Sequence, residues 1–441
     1  MEKLNIFFKL SENKTTTRTE LTAGFTTFLT MSYIIFVQPQ VLGAAGMDTG
    51  AVFTATCIAS ALACIIMGVV ANYPIAQAPL MGENFFFTYT VVIGMGMLWQ
   101  EALGLVFISG VVFLLLTLTK IREQLVSAIP DSLKFGISAG IGLFITFIGL
   151  KDAGIVVASP ATFVELGPIT DVPVLIAIAG FVITAVLFAR NVRGSILWGM
   201  LLTGLLAWLS GITHIDGVFS APPSLKPTFF QFSLTNLFTI NALSIVLIFL
   251  FMTIFDTLGT LVGVSVQAGI MKDGKLPRAS RALLSDAVAT TAGACLGTST
   301  VSSYIESSTG VAQGGRTGLT AVSAGILFLC ALFFSPLVQA VGGPVQLHDN
   351  VMIHPVTAPA LIMVGALMMS CVRHIDWSDV TEYMPPFLVI VLIPFTFNIA
   401  DGISIGFISY PILKTARGKA QEVSLLSWIV AAIFVLRYVF L

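Results

Sequence analysis

Charge is what this 441-residue sequence has little of. Lys and Arg total 21 and Asp and Glu 22, together 10% of the chain, where soluble domains carry about 25%. Hydrophobic residues make up 56%, and the mean hydropathy is +0.97. A water-soluble core cannot absorb that much apolar surface, and runs of about 17–25 apolar residues are the length that crosses a bilayer. The chain therefore reads as an all-α polytopic membrane protein of the cell membrane. The net charge of −1 carries no information about partners. The lipid bilayer is one partner, and nucleic acid is not expected.

Chemistry-bearing clusters are scarce too. Of four histidines, His214 and His348 fall in external loops, His374 in a cytoplasmic loop and His354 near a membrane boundary. No pair has metal-ligand spacing on one helix. Cys57, Cys64, Cys295, Cys330 and Cys371 all lie in apolar runs. They give no metal site, make poor disulfide candidates, and read as small packing hydrophobes. There is no Ser-His-Asp set, no phosphate loop and no soluble stretch long enough to hold a nucleotide. GISAGIGLF (Gly136, Gly140, Gly142) sits inside an apolar run and reads as small-residue helix packing. These absences argue against a membrane-embedded enzyme and an ATP-driven pump, and no cofactor or metal is expected.

Apolar runs fall near 21–42, 51–71, 78–92, 101–119, 133–150, 173–189, 195–211, 242–264, 283–297, 304–313, 317–341, 357–372, 384–398 and 401–415, with a last one over 424–440. The first run is too long for a signal peptide's apolar region and has no clear cleavage site, so it is expected as a retained span. With the N-terminus in the cytoplasm and fourteen spans, 18 Lys and Arg fall in inside loops and only Lys151 and Lys226 outside. Positive charge stays on the cytoplasmic side, and a miscounted span would scramble that split. Whether 424–440 crosses or lies along the interface stays open.

Fourteen spans divide into seven plus seven. Seven is odd, so the halves have opposite orientation, an inverted repeat. Run three (QAPLMGENFFFTY) and run ten (GTSTVSSYIESSTGVAQ) are both short and interrupted, in corresponding places. Paired interrupted segments point to a binding site. Short extended strands followed by half-helices fit broken segments 3 and 10, because non-helical backbone survives in a membrane only where it is buried in protein or lines a cavity.

Glu83, Asp256 and Glu306 are read as the acids inside the runs. A carboxylate at the centre of a membrane helix is unfavourable by about 2.5–3.5 kcal/mol, so the default reading is an ion or substrate pathway. Asp256 shares a small, polar helix face with Thr253, Gly259, Thr260 and Gly263. Glu306 sits at the start of a half-helix among Ser307 and other hydroxyl residues, where the dipole favours negative charge. Asn84 supplies donors and acceptors suited to the edge of a planar heterocycle, and Phe85 and Phe86 a stacking surface. Thr27, in TTFLTMSY, is a weaker candidate, because helix threonines often bond their own backbone.

TTTRTELTAGFTTFLTMSYIIFVQPQVLGAAGMD, MGENFFF, FDTLGTLVGV and YIESSTGVAQGGRTGLTAV together resemble the nucleobase–cation symporter (xanthine/uracil permease) family, nearest its adenine/guanine/hypoxanthine permease branch. The resemblance covers about residues 8–440. It implies proton-coupled uptake of purine nucleobases by alternating access, with H+ as coupling ion and often a homodimer. It implies a core domain over 21–119 and 242–341 and a gate domain over 133–211 and 357–415, flanked by a cytoplasmic segment 1–20 and an additional helix at 424–440. By motif, Asp256 and Glu306 contact the base and Asn84 supports it, with Glu306, Asp256 and Glu83 the candidates for proton coupling. The branch commonly has Leu where this chain has Glu83, which bears on coupling or base preference. A second reading is an inorganic-anion transporter or channel on the same architecture; the acidic character of the broken runs, which hold no Lys or Arg, disfavours it.

Overall fold

The computed structural model describes residues 2–119, 130–214, 217–235, 239–271, 276–347 and 351–439. Lys120, Arg122, Lys272 and Lys275 of the charge count, His348, and the outermost residues of the 1–20 and 424–440 segments lie outside the described residues.

The first apolar run folds as two helices. A short α1 (Glu2–Phe8) precedes α2 (Thr17–Met31), which meets α3 (Ile34–Ala44) at a turn over Ser32 and Tyr33. Thr16 caps α2, its hydroxyl accepting the Thr19 N–H at 3.2 Å. The first span thus starts ahead of residue 21, and Glu20 belongs inside the protein rather than to a solvated segment. Its fully buried carboxylate accepts the N–H groups of Arg316 (2.9 Å) and Thr317 (3.2 Å) and the Thr320 hydroxyl (2.6 Å). Free N–H groups at a helix start favour an anion, and this helix start lies almost 300 residues away in sequence.

The first half continues through α4 (Thr49–Ile66) with a π-helical end, β1 (Gln77–Pro79), α5 (Met81–Phe85) running on as a π-helix to Gly94, α6 (Trp99–Leu118) and α7 (Asp131–Asp152). A hairpin of β2 (Val156–Ser159) and β3 (Phe163–Leu166) leads to α8 (Val172–Ala189) and α9 (Ser195–Leu209). The second half repeats the order of spans and of the broken segment, with its strand pair one span earlier. It runs α10 (Ile240–Ala268), α11 (Ala279–Leu296), β4 (Val301–Ser303) with α12 (Ser307–Ala312), α13 (Gly318–Ala331) with α14 (Ser335–Gly342), the strand pair β5 (Val345–Gln346) and β6 (Met352–Ile353), α15 (Ala358–Met369), α16 (Val380–Thr396) and α17 (Ile399–Ala416). α18 (Leu425–Val439) follows. All fourteen apolar runs carry helix, and runs three and ten each open with a strand. Seven helices among the described residues are long and apolar enough to span a membrane alone.

Two packing groups emerge. α2, α4, α6, α10, α11, α12 and α13 pack together around β1 and β4, whereas α7, α8, α9, α15, α16 and α17 pack on one another. α7 sits at the middle of the second group, and its glycines let it do so. A Cβ on Gly142 would stand 2.7 Å from the Gly365 carbonyl, and one on Gly365 2.4 Å from the Gly142 carbonyl. The GISAGIGLF segment is therefore a backbone-to-backbone packing seam, as small residues permit in membranes.

Replacing Gly142 by Leu should force α7 and α15 apart. Overpacking of this kind costs about 1–3 kcal/mol, so a thermal melt of the detergent-purified protein should shift down by several degrees. Gly259→Ala, where nothing stands within 4 Å of the new Cβ, should leave the melt in place. Equal melts for both would contradict the seam.

Candidate functional site

The two broken runs meet as an antiparallel pair with register Gln77↔Ser303, Ala78↔Ser302 and Pro79↔Val301. The ladder extends at both ends, with the Leu80 N–H donating to the Thr300 carbonyl and the Tyr304 N–H to the Ala76 carbonyl, both at 3.0 Å. These strands are fully buried. Each would leave half of its backbone groups unpaired in an apolar interior, where every orphan is costly.

Side chains meet part of that demand: the Thr290 hydroxyl donates to the Val301 carbonyl (2.9 Å) and accepts the Val301 N–H (3.3 Å), and the Cys64 thiol donates to the Gln77 carbonyl (3.3 Å) and accepts the Gln77 N–H (3.1 Å). Asp286, on α11, cross-links the strands through their side chains. It is fully buried and accepts hydrogen bonds from the Thr257 hydroxyl (2.6 Å), the Ser302 hydroxyl (2.7 Å), the Ser303 hydroxyl and N–H (3.1 and 3.4 Å) and the Gln77 side-chain amide. The Gln77 side-chain oxygen Oε1 in turn accepts from the Ser285 hydroxyl. One carboxylate thus ties α10, α11 and both strands together. The sequence reading missed Asp286. The signal was present, an acid inside run nine.

Glu306 occupies the residue before α12, half-buried, and its Oε1 accepts the Tyr33 hydroxyl at 3.0 Å. Asp256 projects from mid-α10 and is exposed. Gly259 has open space where a side chain would be, and Gly263 meets only the tip of Ile305 at 3.6 Å. Of the small, polar face read from the spacing, Asp256, Gly259 and Gly263 are exposed and border an open hollow on the half of α10 leading to Ala268, while Thr253 and Thr260 are buried. Asp256 and Glu306 lie within electrostatic reach of each other, and Glu83 within reach of Asp256. Tyr304 lies among all three, its hydroxyl donating to the Pro79 carbonyl. Glu83 is buried with its carboxyl next to the buried Thr253 hydroxyl, and its Oε1 has no partner at hydrogen-bond geometry. Among the described residues, no Lys, Arg or His pairs with any of the three acids.

The other sequence candidates take different places. Asn84 is fully buried and does not present a free edge. Its amide pairs head-to-tail with Gln38, and its Oδ1 also accepts the Ser299 hydroxyl. Gln38 further donates to Thr298 at 3.0 Å. Phe85 and Phe86 are fully buried as well. Phe85 stacks on Tyr89 at 5.6 Å, and Phe86 meets Phe249 edge-on at 4.7 Å, so their faces are already covered by protein. Ser307 accepts the Ala76 N–H at 3.0 Å and so anchors the start of the first strand. Thr260 is buried on α10. Thr27 is buried with no partner for its hydroxyl, pressed against the backbone of Gly310. Thr26 and Thr30 bond their own helix backbone. The structure therefore gathers Asp256, Glu306 and Glu83 and assigns Asn84, Phe85, Phe86 and Ser307 to the wall behind them. Tyr33, part of the weak TTFLTMSY signal, joins the cluster through its hydroxyl, and Gln38 is a further member that the sequence reading did not single out.

A helical membrane protein of two seven-span halves, with crossed broken segments and an acidic hollow, is a membrane permease rather than an enzyme. The xanthine/uracil Permease family model matches residues 18–405, and the chain belongs to that family. It is 47% identical to the guanine/hypoxanthine permease PbuG of Bacillus subtilis, over 99% of this chain and 100% of that one. It is 46% identical to the adenine permease AdeP of Escherichia coli, over 98% and 95%. Among solved structures it is similar to the transmembrane domain of the cyanobacterial bicarbonate transporter BicA, with a TM-score of 0.64 at 15% identity, covering 87% of this chain and 96% of that one. That likeness concerns the fold.

Asp286→Ala would orphan several buried donors at about 1–3 kcal/mol each. It should lower the melting temperature sharply or prevent recovery of folded protein, whereas Asp256→Ala, at the open hollow, should melt close to the parent. The reverse order would contradict the division into a structural and a ligand-facing acid.

Proposed function

We propose that the protein carries purine nucleobases into the cell together with protons, by alternating access of a site between a core domain (21–119 and 242–341) and a gate domain (133–211 and 357–415). The observation that carries this reading is the exposed Asp256 beside the Tyr33-held Glu306, with no Lys, Arg or His among the described residues in an ion pair with either. Adenine, guanine and hypoxanthine are uncharged and present ring N–H groups or exocyclic amines, which carboxylates accept. Hydrogen bonds to charged groups are worth about 1.5–3 kcal/mol. An inorganic anion would meet only like charge there. The names of the adenine and guanine/hypoxanthine permeases at 46–47% identity point to the same ligand class.

Proton coupling follows from the same absence of cations. Closing the hollow over a neutral base leaves three carboxyl groups in a space of low dielectric, and like charges packed together disfavour full ionisation. A proton entering with the base relieves that repulsion. Glu83, buried with its Oε1 unpartnered, is the group best placed to receive it. With the N-terminus cytoplasmic, as the distribution of Lys and Arg favours, the hollow on the Ala268 half of α10 faces the cytoplasm.

Proteoliposome uptake tests this reading. Purines should compete with one another for uptake, uracil should not, and an inward proton gradient should raise the rate. Glu306→Gln should reduce uptake by about tenfold or more while still inserting and purifying as a monodisperse protein. Uptake indifferent to the gradient, or undiminished in Glu306→Gln, would overturn the assignment.

A further inference from the structure

Gln38 and Gln40 flank Pro39 on α3, and they hold different parts of the protein. Gln38 grips the binding-site wall through Asn84, Thr298 and Ser299. Gln40 grips the other packing group. Its Nε2 donates to Asp152 Oδ2 at 2.9 Å, and its Oε1 accepts the Thr357 hydroxyl. Asp152 is the last residue of α7, and Thr357 immediately precedes α15. Both are buried. The segment entering α15 is tied to the same point, since the His354 N–H donates to the Asp152 carbonyl at 2.8 Å and the His354 ring Nδ1 lies 3.1 Å from the Gly342 carbonyl at the end of α14. Lys151 approaches Asp152 only at 4.0 Å and is half exposed, so it contributes little.

Spans alternate in direction, so this cluster lies at the end of the molecule opposite the hollow on the Ala268 half of α10. One end of the site is open, and at the other end a buried carboxylate joins the two packing groups. Pro39 cannot donate a backbone hydrogen bond, so α3 lacks one of its internal ties between the two glutamines. We propose that Gln40, Asp152 and Thr357 form a latch that closes the pathway at that end and has to open before a base can reach the site from there. Gln38 and Gln40 share one short helix, so the latch is mechanically joined to the Asn84 wall of the site. The latch rests on the alternating-access reading above.

The test reads access rather than transport, so a failure of purine uptake leaves it interpretable. A cysteine is placed at Gly259, in the hollow, in the full chain reconstituted in sealed vesicles. Its labelling by a membrane-impermeant maleimide is measured from each side, above the labelling of the unsubstituted protein. The cysteine should label from the Ala268 side and slowly from the latch side. Gln40→Glu, nearly isosteric, sets two carboxylates against each other and should raise latch-side labelling on the order of tenfold, the worth of one charge-assisted hydrogen bond. Adding Asp152→Asn restores a donor opposite Glu and should return labelling toward the parent. Gln40→Ala should match Gln40→Glu and guards against a folding failure of either. Latch-side labelling unchanged in both single variants, or no recovery in the exchanged pair, would overturn the latch.

Discussion

The site depends on the crossing of two broken spans, and one buried carboxylate ties that crossing together. Strands of three residues inside a membrane protein leave backbone groups that neither helix nor water can satisfy. The Thr290 hydroxyl and the Cys64 thiol take up part of that demand at Val301 and Gln77, and Asp286 with its circle of hydroxyls fixes β1 against β4. Only with the crossing fixed do α5 and α12 start where they do, and only then do Glu83 and Glu306 stand near Asp256. The carboxylate that does most to build the site is therefore one that faces away from the hollow.

Around that crossing the acids divide by environment. Asp286 has every partner it can use. Asp256 has no hydrogen-bond or ion-pair partner among the described residues and faces open space, Glu306 is steadied by Tyr33, and Glu83 is buried without a partner for one oxygen. This gradation from satisfied to unsatisfied gives the cluster its direction. A neutral ligand rich in N–H groups completes the open acids, and a proton completes the buried one. An anion would find no counter-charge among the described residues.

Much of this was legible in the sequence because it obeys local rules. Span length and the paired interruptions of runs three and ten follow from hydropathy and spacing, and the fold agrees. Asp256, Gly259 and Gly263 share one face because helical periodicity dictates it, though the Thr253 and Thr260 read onto the same face are buried. Contacts distant in sequence were not legible. Asn84 looked like a ligand for the base edge because its amide partner, Gln38, sits 46 positions away, and no local pattern announces that pairing. Phe85 and Phe86 looked available for stacking until Tyr89 and Phe249 covered them. Glu20 read as the edge of a solvated tail because the helix start it caps is almost 300 residues downstream.

The central claim is that an acidic site without cations takes up an uncharged base and a proton together. Calorimetric titration of the purified protein with hypoxanthine or adenine, in buffers of differing ionisation enthalpy, counts the protons exchanged on binding. The account predicts net proton uptake with the base in the parent and its loss in Glu83→Gln. Tight binding with no proton uptake in the parent would contradict it.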